Sequence, residues 1–205
     1  KIPLFHLKHM FRHHPLNATD VAYLQDATDL LWVLVVRNPC DWADAMYRTP
    51  WHLCPTKEDD ADRCPGPFLG LDRTAVHGKS RLEFFRDMEW RDWHESTIDP
   101  NDFTYDSVFD LRRHKLSLMK QLMTVSPHRF QVVHLDQVEL QPELFVQHFV
   151  KQFGLQAEPD PSPMKAKHHK TLCLNADEWK VAQEKIDWTM EAHFGFVPTN
   201  CHMCY

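Results

Sequence analysis

The densest apolar block in the chain runs from Leu30 through Leu31, Trp32, Val33, Leu34 and Val35 to Val36, and stops at Arg37. A run of mostly branched apolar residues with no polar alternation predicts a strand buried on both faces of a sheet. Asn38-Pro39 ends that strand. Asp41 is placed to cap a helix whose first turns are 42–47. A second buried strand is predicted over 130–135, and a short one over 2–8. Val108, Leu111, Leu116, Met119, Leu122 and Met123 have helical spacing. They predict a helix over 106–125, with Asp106 as its cap and Arg112, Arg113 and Lys115 on a solvated face. Pro142 suits the first turn of a helix that runs over 144–153 and is closed by Gly154. A last helix is predicted over 177–193, with Trp179, Ile186 and Met190 on one face.

Between these blocks the pattern is weaker. A short helix fits 20–25 within an irregular stretch. Residues 80–95 carry Leu82, Phe84, Phe85, Met88, Trp90 and Trp93 among charges, and read as an amphipathic helix or turn. Residues 53–80 and 156–172 read as loops, punctuated by proline. His77-Gly-Lys-Ser80 has the ending of a phosphate loop, but position 73 is Arg73 where that motif requires glycine, so the match is rejected. Strands alternating with helices predict an α/β fold, a mostly parallel central sheet with helices on both faces.

Length and composition then narrow the class. At 205 residues the chain is read as a single domain over 1–205, large enough for a real core. A net charge of −6 argues against general nucleic-acid binding. Fifteen histidines would swing that charge positive in a mildly acidic compartment. No apolar run reaches the length of a membrane span. The chain opens on Lys1 inside an apolar segment without a signal peptide, and is read as processed or partial.

The six cysteines bear on location. Cys54 and Cys64 flank a short acidic loop with proline, which suits a local disulfide and an oxidising compartment. Asn17-Ala-Thr19 is a glycosylation acceptor and points to the same lumen. Together they favour the secretory pathway, in the Golgi lumen or outside the cell, over the cytosol. Cys201-His-Met-Cys204 is half of a zinc pattern that His168, His169 and Cys173 would have to complete. Disulfides or free thiols are the stronger reading, and no metal is expected.

Candidate chemistry centres on Arg37. It follows the last valine of the central strand, and ligands of open α/β sheets bind at the carboxyl ends of strands. Its planar fork suits a phosphate, although an arginine there equally suits a salt bridge that closes the strand. A valine-rich strand followed by Arg37-Asn-Pro-Cys-Asp-Trp42 and a short helix with Met46 resembles the 3′-phosphate-binding segment of sulfotransferases. These enzymes use 3′-phosphoadenylyl sulfate (PAPS). Further segments match in the same order. The His134-Leu135-Asp136 turn, the Pro142-Glu143 helix with its Phe153-Gly-Leu155 ending, and the 186–196 stretch with Glu191, Gly195 and Phe196 are similar to the family's later strand and helices.

That resemblance implies a three-layer, P-loop-type sulfotransferase fold and a set of roles. His9, after the strand predicted over 2–8, would be the general base that deprotonates the acceptor hydroxyl, with Lys8 beside it. Arg37 would hold the 3′-phosphate of PAPS. Lys165 and Lys167, in the basic loop, would close over the nucleotide. Trp51 and His52 would line the acceptor pocket, in a Met-x-x-x-Pro-x-His pattern that resembles lumenal members. The acceptor would be a hydroxyl or amine of a carbohydrate, peptide or small metabolite. Two departures stand out. The family's second 3′-phosphate ligand, a serine eight residues after the arginine, is here Ala45. No glycine precedes Gly66, so the loop that cradles the 5′-phosphosulfate, with its first strand, is not found in the chain. A catalytically inactive relative, acting as a structural or binding subunit of an assembly, is therefore the alternative reading.

Overall fold

The structure, a computed structural model, describes residues 18–26, 31–48, 53–55, 79–87, 90–92, 104–154 and 172–204. Helices and strands are mixed along the chain. Helix α1 (Ala18–Asp26) precedes strand β1 (Trp32–Val36), which runs into helix α2 (Pro39–Arg48). Strand β2 (Leu53–Pro55), helix α3 (Arg81–Arg86), and strands β3 (Trp90–Asp92) and β4 (Thr104–Tyr105) lead to the long helix α4 (Val108–Val125). Strand β5 (Phe130–His134) is followed by helices α5 (Leu135–Leu140) and α6 (Pro142–Phe153). The C-terminal part comprises β6 (Cys173–Leu174), α7 (Ala176–Lys185), α8 (Trp188–Ala192) and β7 (His202–Met203).

The two apolar runs form a parallel pair, Trp32 against Phe130 through Val36 against His134. Parallel neighbours need a long crossover, which the intervening helices supply. Trp32 and Val36 face α4, where they join Leu122 and Leu116 in two buried clusters. The expectation of burial on both faces fails at β1: Val33 is 41% and Val35 52% exposed. On the same face of β5, Val133 is buried at 4%. The run was uninterrupted because hydrophobicity alone does not tell which face of a strand is covered. Among the described residues the largest core cluster lies elsewhere, where Phe84 and Phe85 of α3 meet Ala43 and Met46 of α2, Phe109 and Leu111 of α4, and Ala182 of α7.

Several boundaries differ from the sequence expectation for local reasons. Ser107, not Asp106, caps α4, accepting from the Asp110 amide at 3.2 Å. Asn38, not Asp41, caps α2: its Oδ1 accepts from the Cys40 amide at 2.9 Å. The predicted helix over 177–193 breaks at Ile186-Asp187, because Asp187 caps a new helix by accepting from the Met190 amide. Residues 53–80 do not begin as a loop; β2 pairs antiparallel with β3, which in turn pairs with β4. The 80–95 stretch divides into α3, opened by a Ser80–Glu83 capping box, and β3. Gly154 closes α6 in the left-handed conformation, as its position predicts.

Two disulfides staple the C-terminal segment. Cys40 at the start of α2 is bonded to Cys201, and Cys173 on β6 to Cys204. The half zinc pattern of Cys201 and Cys204 is thus consumed by two separate bonds. Asn38 adds a third tie, donating from Nδ2 to the Asn200 carbonyl at 2.6 Å. Among the described residues no helix is long and apolar enough to cross a membrane.

Candidate functional site

The carboxyl ends of β1 and β5 open onto a cavity of about 240 Å³. Its walls are Val35, Val36 and Arg37 from β1 and its end, Trp42 from α2, Leu135 after β5, and Arg112, Lys115, Leu116 and Met119 from α4. Residues at spacings of three and four share one helix face, so α4 presents Arg112, Lys115, Leu116 and Met119 together. Arg37 therefore sits where the sequence placed it, at a strand end that faces a cavity. The backbone carbonyl of Arg37 accepts from the Arg112 guanidinium at 2.8 Å.

Arg112 is the fixed point of this end of the molecule. The expectation that it lies on a solvated face is overturned: its exposure is 5%. Its guanidinium makes a bidentate pair with Glu191 of α8, Nε to Oε1 and the second nitrogen to Oε2 at 2.8 Å. It also lies over the rings of Trp42, at 5.3 Å, and Phe196, at 5.8 Å. A buried arginine is tolerated only when its charge and donors are satisfied, and Glu191, the Arg37 carbonyl and the two aromatic faces do so. Its place on the helix carries only a trace of this burial, because the partner lies 79 residues away. Arg112 lies three residues after Phe109 and four before Leu116, at an apolar position of the helix.

Asp41, next to this end, has its carboxyl pKa raised above the ordinary 3.8. Burial is the main cause, and the Asp136 charge adds to it, against the Leu172 amide and the Arg37 charge, which favour the ionised form. Its Oδ1 accepts from the Leu172 amide at 3.2 Å, which ties α2 to the segment entering β6. His134, at the end of β5, is structural: Nε2 donates to the Phe194 carbonyl at 2.7 Å and the ring stacks on Phe196 at 4.6 Å.

Of the residues expected to carry chemistry, Arg37 alone has its side chain within the described residues. Lys8, His9, Asn17, Trp51, His52, Cys64, Lys165 and Lys167 lie outside them. Cys54 is placed on β2 by its backbone, and its side chain lies outside as well. Ala45 is half-buried on α2 and does not line the cavity. Among the described residues no group of three or more histidine, cysteine or carboxylate side chains is arranged to hold a metal. No protein-family model, curated protein or solved structure matches the chain.

Proposed function

We propose that this chain is a sulfotransferase-like domain whose cavity at the ends of β1 and β5 takes the 3′-phosphorylated ribose of PAPS. The observation that carries the reading is the placement of Arg37. It stands at the carboxyl end of a parallel strand, its backbone carbonyl held by Arg112, among the residues that line a cavity with Trp42 and Met119. Strand ends of this kind are where α/β sheets bind ligands, and an arginine fork suits a phosphate. At about 240 Å³ the cavity is smaller than the roughly 300–1,000 Å³ that encloses a whole drug-sized ligand. It fits the phosphorylated end of a nucleotide, with the remainder reaching outward.

In this reading PAPS is the sulfuryl donor and a hydroxyl or amine of a carbohydrate, peptide or small metabolite is the acceptor. His9 is the general base, and Lys8, Lys165 and Lys167 contact the nucleotide, as the family resemblance implies. The fold is a three-layer sulfotransferase type, for which the parallel β1–β5 pair supplies partial support. Two disulfides suit an oxidising compartment, in keeping with a Golgi or extracellular location. Ala45 favours a second reading, a nucleotide-binding or structural subunit that no longer transfers sulfate.

Calorimetry with adenosine 3′,5′-bisphosphate tests the reading. Binding to the native protein that weakens at least tenfold in Arg37→Ala, with an unchanged melting temperature, supports it. Absence of heat at millimolar ligand sinks it. Sulfate transfer to an acceptor panel then separates an enzyme from a binding subunit.

A further inference from the structure

A second cavity, of about 390 Å³, lies against the other side of α4. The helix contributes Asp110, Arg113, His114 and Ser117, which share one face at spacings of three and four. None of them lines the cavity at Arg37, whose α4 residues fall on the nearly opposite face at 3.6 residues per turn. Side chains stand outermost on a helix, so these four residues meet the cavity with their polar groups. Asp187 and Met190, at the start of α8, line it from the other side of the sequence.

The charges here are matched locally. Arg113 is ion-paired to Asp110. The Asp187 carboxylate caps α8, accepting from the Met190 amide at 2.9 Å. A carboxylate has about four acceptor sites and a guanidinium five donors, so neither the pair nor the cap exhausts these groups. An incoming anion would meet two carboxylates, and an incoming cation would meet Arg113. A hydroxyl suits both signs, because it donates to a carboxylate while it accepts from a guanidinium or from Ser117. Met190, half-buried, and Tyr105, 5% exposed, add apolar surface to the walls. Paired donors and acceptors beside a small apolar surface match a sugar ring, which carries hydroxyls around its edge and C–H groups on its faces.

We propose that this cavity is a second binding site, which takes one ring of a neutral saccharide, with Asp187, Arg113 and Ser117 as its hydrogen-bonding contacts. Its volume falls within the roughly 300–1,000 Å³ of small-molecule sites. The inference does not rest on the nucleotide reading, since the two cavities share no lining residue.

Saturation-transfer NMR on the native protein tests it, with the methyl glycosides of galactose, mannose and N-acetylglucosamine as probes. At least one is expected to bind in the millimolar range. Ser117→Ala should weaken that binding about fivefold, the effect of one hydrogen bond, and should melt with the wild type, because alanine favours the helix. Asp187→Asn keeps a capping oxygen and should weaken the glycoside by about as much. Binding of adenosine 3′,5′-bisphosphate should be the same in Ser117→Ala as in the wild type. If no probe gives a signal at tens of millimolar, the inference is overturned, whatever the nucleotide does. If a glycoside binds the wild type and both variants equally, the sugar lies elsewhere and the inference is wrong. If methylammonium or inorganic phosphate displaces the glycoside, the cavity selects by charge and the assignment to a neutral saccharide fails.

Discussion

Arg112 and Glu191 lie 79 residues apart in sequence and form a buried bidentate ion pair between α4 and α8. The same guanidinium holds the carbonyl of Arg37. One side chain thus couples the end of β1, where the candidate site lies, to α8.

Removing one partner of the pair leaves a buried charge without compensation. Arg112→Met should cost about 3–5 kcal/mol in urea unfolding, and Glu191→Gln a similar amount. The double variant Arg112→Met with Glu191→Met should be more stable than Arg112→Met alone, because no orphan charge remains. Purely additive losses would show that the two residues do not interact in solution.

The disulfides should differ in weight. Cys40–Cys201 closes a loop of 161 residues and Cys173–Cys204 one of 31. Loop entropy then assigns about 5 kcal/mol to the first and about 4 kcal/mol to the second, as upper values. Paired serine variants of each bridge, compared by chemical denaturation, test the order. Peptide mapping without reductant should recover Cys40 linked to Cys201 and Cys173 linked to Cys204.

Asp41 gives a pH signature. Its pKa is raised by burial, so the folded chain holds a proton that the unfolded chain has released. This carboxyl's contribution to stability is fully present below the ordinary value of 3.8 and is lost as pH rises through the raised folded value. Asp41→Asn keeps an oxygen acceptor for the Leu172 amide and removes the charge. The variant should therefore melt about 1–3 °C above wild type at pH 7, with the difference closing in acid. A difference that does not change with pH would mean that the effect is not one of ionisation.

Two glycines with positive φ should respond differently to a methyl group. At Gly195, φ is +83° and a Cβ would meet the His134 ring at 3.1 Å. Gly195→Ala should cost about 2–3 kcal/mol and disturb the bond from His134 to the Phe194 carbonyl. At Gly154, φ is +60° and the space is open, so Gly154→Ala should cost only about 1 kcal/mol of backbone strain. Equal losses would show that the contact with His134 is soft.

The local elements were legible in the sequence because they depend on spacing and a few punctuating residues. Strands β1 and β5, the long helix from Val108 to Val125, and the Pro142 to Gly154 helix follow from apolar runs, helical periodicity, proline and glycine. Arg37 at a strand end was legible for the same reason. Caps were less so. Asn38 and Asp41, or Asp106 and Ser107, are all good capping types a few residues apart, and only the backbone geometry selects among them.

What the tertiary structure alone decided is which distant side chains meet. A charge on a helix reads as solvated unless its partner is known, and the partner of Arg112 is 79 residues away. The same holds for Cys40 with Cys201, where equal chemistry at six positions leaves the pairing open until the chain is folded. The exposure of Val33 and Val35 also depends on what packs against the sheet, not on the residues themselves. Periodicity is a property of neighbours along the chain. Burial, ion pairing and the cavity at Arg37 are properties of neighbours in space.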